Sequence, residues 1–496
     1  MSALEVRRVG SNSKQYLLQL LRRLFEGQVL RHLFRAAVSL ALLPLDNSIL
    51  LLAVALRYAS LFFRPLRLLR RRQEILQDVR FHPKTILITG VDTPQGLHVA
   101  RCFYTEGHRV VGADITNAKF ASGGSMSRAL AAYYRVSKPH YVPMLLDIVL
   151  REKVDVWIPC SQGTSVVEDA MAKQAIESRT SCKSITLDTD LTFHWSEPDT
   201  FIQRLSEKDL PVVESHYIQS RDSIHKILHR SPTKTFHIRK GSPADKNNII
   251  LPKRTVSLTY SEVSRMHVSK DSPWLMQQHA RLGEFVAELL VIHGNVTAIL
   301  VRPVSDTTEW GRSPLNEGLA AAIHKLMDRF ASKCGARTTG HITVRLMVDE
   351  ELALNSVRYE VRIAGCTQGT AATAHLLSAS SSQTLVSGYL TILSHDAVPE
   401  TSLDVIIRST GPNASITLPQ PQSVYKTIRK IDVPRVLPAL SPVAQHIEWT
   451  LERAGKALLF WEHWRFSFMD PLPWWWHTHV SWPLRELDLM LQSEGD

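Results

Sequence analysis

The sequence predicts an α/β chain, with a Rossmann-like parallel domain, a larger α+β unit after it, and N-terminal membrane-associated helices ahead of both. Three observations carry this. Short apolar strands alternate with amphipathic helices from Lys84 to Asp188, the pattern of a parallel sheet. Long strands paired across glycine and polar turns follow between residues 284 and 365. A basic, strongly apolar stretch fills the first eighty residues.

Of the 58 Lys+Arg and 47 Asp+Glu, residues 1–84 hold 15 and 5, which leaves 43 against 42 in all the rest. The net charge of +11 therefore belongs to the N-terminus. A nucleic-acid binder carries its positive surface on the folded domain, so no nucleic-acid partner is expected. From residue 36 to 56 runs AAVSLALLPLDNSILLLAVAL, broken only by Pro44 and Asp46-Asn47, and RPLRLLRRR with its five Arg follows at Arg64–Arg72. That length suits one transmembrane helix. Asp46 near its middle is costly in hydrocarbon, so a re-entrant hairpin with Leu-Asp-Asn at its tip competes, and a buried helical hairpin of a soluble domain is the third arrangement. The Arg cluster places the bulk of a membrane-associated chain in the cytosol. A cleaved signal peptide is not expected, because over thirty residues precede the apolar run.

KTILITG then reads as a strand ending in Gly90, LHVARCFYTEGH as a helix, and RVVGAD as a second strand. Gly90 and Gly96 frame the turn without a full GxGxxG. With Asp114 they are the only support for a dinucleotide site and an NAD-dependent reductase. Tyr134 to Lys138 matches a YxxxK pattern by chance, too close to the glycine turn for a short-chain reductase. A helix near 145–152, a strand at 155–160, a helix near 165–178 and a strand SITLD ending in Asp188 complete the domain. The five cysteines form no CxxC pair, which argues for a reducing compartment and against a structural zinc.

The next unit opens with a helix at 199–209, a strand at 214–218, a helix around 222–229, and the strands TFHIRK (235–240) and IILPKRTV. PWLMQQ (273–278) is a further strand, and EFVAELLVIHG and NVTAILVRPV pair across Gly294-Asn295. A helix at 314–333 precedes the last hairpin, GHITVRLMVD (340–349) and VRYEVRIAG (357–365).

This order, with the segments REKVDVWIPC and PWLMQQ, the Gly-x-Glu antiparallel pair and an aromatic tail, resembles the ATP-grasp ligases over nearly the whole chain. Within them it is similar to the membrane-attached type that joins an amino acid to a cyclohexenone in mycosporine biosynthesis. The resemblance implies ATP held between two α+β halves, a carboxylate or enolic oxygen activated by phosphorylation, and attack by an amine. It thus implies a ligase of secondary metabolism at a membrane. It assigns the phosphates to Arg239, with Lys240 adjacent, and leaves Pro198 at the second lysine position. It assigns the adenine strand end to Gln277 and Gln278, and the ribose hydroxyls to Glu284. Its magnesium carboxylates fall on Arg345 and Arg362, and its Asn and substrate Arg on Ala364 and Cys366. Each such cation, at roughly 4 Å and an effective dielectric of about 20, repels a divalent ion by several kcal/mol, so magnesium is not expected there. Asp349 shares a face with Arg345 and Glu360 one with Arg362. These acids either supply a shifted metal pair or close the site by pairing with the arginines. A ligase and a non-catalytic relative that binds nucleotide, or scaffolds partners, both stay open.

His225 and His229 lie one helical turn apart on a solvated helix face, and Ser161 and Ser381 lack a nucleophile elbow, so none of these is expected to be a site. Seven of the eleven Trp lie in 449–482, and Trp474-Trp475-Trp476 are expected at a membrane–water boundary beside the N-terminal anchor. The expected domains are an anchor at 1–80, a Rossmann-like domain at 81–188 and an α+β domain at 189–395. A connector with the strands SLDVIIRS and QSVYKT, and then the Trp-rich tail, fill 396–496. The connector is read as loosely ordered from about Ser378.

Overall fold

The structure, a computed structural model, describes residues 37, 39–52, 55, 67–116, 120–232, 234–240, 249–269, 274–278, 283–304, 317–353, 356–394, 464–467 and 469–492. Residues 1–36, the segments SPADKNN, SLDVIIRS and QSVYKT, and Trp449 and Trp461 lie outside them. The chain divides into two compact units, residues 1–164 with 418–496, and residues 165–417.

In the first unit, helix α1 covers residues 39–52. Pro44, Asp46 and Asn47 lie within this continuous helix, which rules out the alternative of a hairpin tip at Leu-Asp-Asn. Among the described residues no helix is long and apolar enough to cross a membrane. Helix α2 (Arg67–Gln77) carries part of the Arg cluster, and two of its arginines are spent on the domain: Arg71 pairs with Glu106 at 2.8 Å, and Arg72 stacks 3.9 Å from the Tyr104 ring.

The parallel strands β1 (Thr85–Thr89), β2 (Arg109–Ile115), β3 (Ala132–Val136) and β4 (Val156–Pro159) stand in the order β3-β2-β1-β4. Strands β1 and β4 are almost wholly buried, as strands covered on both faces are. Helices α3 (Pro94–Thr105) and α4 (Tyr141–Glu152) make the crossovers. A Cβ on Gly96 would lie 2.1 Å from the Gly90 carbonyl oxygen, so glycine is what lets α3 abut the turn after β1. The unit's last described stretch holds α13 (Leu472–Trp476) and α14 (Trp482–Gln492), joined by a π-helical turn at His477–Ser481 and numbered after the helices of the second unit.

In the second unit, α5 (Val166–Glu177) starts at a capping box between Ser165 and Glu168. The strand expected at SITLD shrinks to β5 (Lys183–Ser184). Asp188 instead pairs with Lys173 at 2.9 Å and with Arg337 at 2.8 Å, directly before α6 (Thr189–Ser196). After α7 (Pro198–Glu207) come β6 (Ser215–Ile218), α8 (Arg221–Arg230), β7 (Phe236–Lys240), β8 (Ile249–Leu251), α9 (Val256–Arg265) and β9 (Trp274–Gln278). The strands form an antiparallel sheet in the order β6-β9-β7-β8. IILPKRTV therefore splits into a three-residue strand and a helix start, where Thr255 caps α9 through the Leu258 amide.

The larger sheet runs β11-β10-β12-β13, from β10 (Gly283–Ile292), β11 (Asn295–Pro303), β12 (Gly340–Ala353) and β13 (Ser356–Gln368). His293 (φ 51°) and Gly294 (φ 75°) are the two central residues of the β10–β11 turn, one position earlier than the expected Gly294-Asn295. Helices α6, α7 and α10 (Glu317–Cys334) cover one face of this sheet through Trp195, Phe201 and Phe330. Short helices α11 (Ala374–Ala379) and α12 (Ser382–Leu390) occupy the start of the stretch read as a loose connector.

Candidate functional site

Three strands of the larger sheet place two of the expected site residues, Glu284 and Arg362, in one row. Glu284 on β10 stands opposite Met347 on β12, and Met347 opposite Arg362 on β13. Residues directly opposite in an antiparallel pair share a face. Their chain neighbours Phe285, Leu346, Val348 and Ile363 belong to the aliphatic core, so the row lies on the other face. In the next row Asp349 stands opposite Glu360.

Arg362 joins these two acids. Its Nη1 donates to Asp349 Oδ2 at 3.0 Å, and its Nη2 lies 2.7 Å from Glu360 Oε1, with Arg362 and Asp349 both about four-fifths buried. The carboxylates that could have formed a shifted magnesium pair are thus spent on a guanidinium. A divalent ion there would have to displace a charge-assisted contact to each carboxylate and then face the released cation. Arg345 stands opposite Gly365, and a Cβ on that glycine would lie 3.8 Å from Arg345 Nη2, so the guanidinium extends across it. The residues present do not fit magnesium. Among the described residues no group of three or more His, Cys, Asp or Glu could hold a metal ion.

Beside the row, Met347 and Ala364 pack with Val213 in a small buried apolar cluster. Gln277 on β9 reaches it, donating from Nε2 to the Ala364 carbonyl at 3.4 Å. The strand-like segment before β6 makes a second link, with Val213 N to Ile363 O at 2.9 Å and Ile363 N to Pro211 O at 2.8 Å. The two sheets of this unit therefore meet at an apolar floor flanked by Gln277, Glu284 and Arg362. An apolar surface beside an amide and a carboxylate has the chemistry to bind a purine and a diol.

The remaining expected residues sit as follows. Gln278 is buried, and its backbone N–H donates to Glu214 O at 2.9 Å, so that amide is not free for adenine. Arg239 and Lys240 end β7 in register with Leu275 and Trp274, on the strand that carries Gln277 and Gln278, and their side chains lie outside the described residues. Pro198 starts α7 and Cys366 donates toward Trp195 O at 3.8 Å, so neither takes a charged role.

Sequence reasoning missed Glu214, which pairs with Lys234 Nζ at 2.6 Å and His216 Nε2 at 2.9 Å. The Lys234 hydrogen bond chiefly holds its carboxyl below the usual range, against the opposing effect of burial. No motif marks this trio, because β6 and β7 become neighbours of the Gln278 end only when both flank β9. Glu288 was also missed. It is fully buried on β10, takes His375 Nδ1 and Arg302 Nε at 2.9 Å each, and accepts from the Leu376 amide at 2.9 Å. Burial alone would raise its pKa, but these bonds outweigh burial and keep it ionised. It ties the start of α11 to the sheet.

In the first unit the dinucleotide reading fails on geometry. Asp114 accepts from Asp92 N at 3.1 Å, Ser122 Oγ at 2.8 Å and Tyr133 OH at 3.2 Å, so its carboxylate is fully engaged, not presented to a ribose. The chain's own C-terminal segment covers the turn. Arg465 lies 3.2 Å from Asp92 Oδ2, Trp476 Nε1 donates to Ala121 O at 3.1 Å, and a Cβ on Gly123 would meet Pro473 O at 2.7 Å. The three tryptophans take three different partners there. Trp474 is buried edge-on against Phe466, which takes it off the expected lipid boundary, while Trp475 donates to Asn47 Oδ1 at 2.8 Å and Trp476 reaches Ala121, both half-buried.

The weaker candidates resolve into structural roles. His225 stacks on Tyr260 with ring centroids 4.2 Å apart, and Tyr134 OH donates to Glu152. Ser161 Oγ accepts from Gly163 N at 3.1 Å, and Ser381 caps α12 through the Thr384 amide.

No family model matches the chain, and no curated protein matches it. Among solved structures it is similar to an L-amino acid ligase from Bacillus licheniformis, at 12% identity and a TM-score of 0.40 over 63% of this chain and 75% of that one. It is similar to the biotin carboxylase subunit of pyruvate carboxylase at 11% identity and a TM-score of 0.43, over 65% and 72%. It is also similar to an ADP complex of N5-carboxyaminoimidazole ribonucleotide synthetase at 12% identity and a TM-score of 0.39, over 60% and 73%.

Proposed function

We propose that the second unit is an ATP-grasp-type unit that holds adenine nucleotide where its two antiparallel sheets meet, and that it does so without a divalent metal. The observation that carries this is Arg362, which occupies a position the resemblance gives to a metal carboxylate and takes both neighbouring acids, Asp349 and Glu360. Arg362 cannot bridge β- and γ-phosphate oxygens as magnesium does in phosphoryl transfer, and with its charge offset by Asp349 and Glu360 the phosphates are left to Arg345 and to the Arg239–Lys240 pair that the resemblance assigns to them. On this reading the chain is ligase-like in architecture and a nucleotide binder in chemistry. The resemblance to mycosporine-type ligases sets the accompanying small molecules to be tried, a small carboxylate or enolic acceptor and an amino acid, and the place of action, a membrane surface. The test is the melting temperature of the full chain with ATP, with ATP and Mg²⁺, and with NADH. We expect ATP to raise it equally with and without Mg²⁺, and NADH to leave it unchanged. Turnover of ATP that requires Mg²⁺ and disappears on Asp349→Asn or Glu360→Gln would overturn the proposal.

A further inference from the structure

Helix α1 is built inside out for water. Its buried positions are Ser39 and Asp46; Asn47 is half-buried, as are Leu42, Leu43, Ile49 and Leu50, and the three polar side chains face the C-terminal segment: Ser39 Oγ donates to Thr478 O at 2.7 Å, Asp46 Oδ2 takes His479 Nε2 at 2.9 Å, and Asn47 Oδ1 takes Trp475 Nε1 at 2.8 Å. Its exposed positions recur at helical spacing as Leu40, Ala41, Pro44, Leu45, Ser48, Leu51 and Leu52. Leu40 and Leu51 are 71% and 68% exposed. Ser48 is the one polar side chain of that face, and its hydroxyl is satisfied within the helix by the Pro44 carbonyl at 2.9 Å. A surface helix in water shows the reverse arrangement, whereas in hydrocarbon polar groups must find partners internally.

Two occupants could cover such a face, a second copy of the chain or a lipid surface, and charge decides between them. The segment that carries α1 holds 15 Lys+Arg against 5 Asp+Glu, so a symmetric dimer through this face would bring two strongly cationic segments together. An anionic bilayer complements that charge instead.

We infer that the outer face of α1 lies in the headgroup–acyl boundary of an anionic phospholipid bilayer, with the helix in the membrane plane and the C-terminal segment clamped over its polar face from the protein side. Protein covers one side along the described length, and its fourteen residues span only about 21 Å. The aromatic segment is then the clamp, and the leucines are the inserting element. This deepens the location given in the proposed function and is independent of nucleotide binding.

The test is flotation of the full chain with phosphatidylcholine/phosphatidylserine vesicles, for the wild type and for Leu40→Glu with Leu51→Glu. We expect wild-type binding that weakens with salt, and a loss of at least about tenfold in the variant with its melting temperature kept, since each buried leucine contributes more than one factor of ten. Leu40→Ser with Leu51→Ser is the substitute if the charged pair does not fold. Undiminished vesicle binding by the variant overturns the inference while leaving membrane location intact. Wild-type chain that stays with the soluble fraction at low salt overturns both. A concentration-dependent dimer that the variant abolishes, without vesicle binding, assigns the face to a second copy.

Discussion

Asp46 and His479 stand 433 residues apart in the chain and meet at 2.9 Å, each with a side chain only 1% exposed. Neither residue would be tolerated in its own sequence surroundings without the other, since an apolar run and a tryptophan-rich segment offer little to solvate them. Asp46→Ala leaves a buried imidazole and His479→Ala a buried carboxylate, and breaking a buried pair costs about 3–5 kcal/mol. We expect either single change to loosen the C-terminal segment, read as earlier proteolytic release and a red shift of tryptophan emission. The double variant should cost clearly less than the two singles together. Strict additivity would mean that the contact carries no coupling.

Freeing the acids beside Arg362 should give the site a metal response. Arg362→Gln removes the guanidinium from Asp349 and Glu360, which stand opposite each other on β12 and β13, and leaves two carboxylates on one face. Two adjacent acids and an amide oxygen are a plausible hard-cation set. We expect Arg362→Gln to weaken ATP binding without metal, by removing a cation, and to make the remaining binding stronger on adding Mg²⁺. Equal titration curves with and without Mg²⁺ would show that the carboxylates are not oriented for an ion.

Much of this site was legible in the sequence because it rests on strand alternation. The positions of Glu284, Arg345, Asp349, Glu360 and Arg362 follow from a period of two along β10, β12 and β13, and a register that keeps Leu346, Val348 and Ile363 in the core fixes them. What was hidden depends on contacts distant in sequence. Gln277 reaches Ala364 across 87 residues, and the Glu214–Lys234 pair exists because β9 lies between β6 and β7. The place of Trp474 was misread for a related reason. Three consecutive tryptophans do point three ways around a helix, but each direction leads to protein: Phe466, Asn47 and the Ala121 carbonyl. In α1 the apolar run was visible, while its direction was not, because what marks its inner face is the partner segment over four hundred residues away.

Acid should destabilise both units through histidines buried neutral. His341, between Thr373 Oγ1 and Tyr389 OH, is pushed by burial down to about 3; burial takes His477 to about 3 and His108 to about 4. The unfolded chain takes up these protons near pH 6.5, so the stability they carry is complete above that pH and is lost as pH falls toward 4. Each group costs about 1.4 kcal/mol per pH unit inside that window. We expect the midpoint of urea unfolding to drop steeply from pH 6.5 to 4, and His341→Asn, which keeps a polar group without the titration, to flatten the slope for the second unit. A midpoint independent of pH in this window would contradict the assignment.

Asp470 pins the C-terminal segment over the turn after β1, and its replacement separates a structural cover from a cofactor site. Its Oδ2 takes Arg101 Nε at 3.0 Å and Ser127 Oγ at 2.6 Å, and its Oδ1 takes Arg128 N at 2.9 Å, while Arg101 also donates to the carbonyls of Trp464, Arg465 and Asp470. Asp470→Ala therefore leaves a buried guanidinium short of its counter-charge and costs about 3–5 kcal/mol. If the segment merely displaced a dinucleotide, loosening it would expose a site and NADH would begin to bind. We expect no such gain, because Asp114 remains spent on Asp92 N, Ser122 and Tyr133 whatever the segment does. The expected outcome is a lower melting temperature for Asp470→Ala that NADH does not restore. A rise of several degrees on adding NADH to this variant, but not to the wild type, would instead mark the C-terminal segment as a cover over a working dinucleotide crevice.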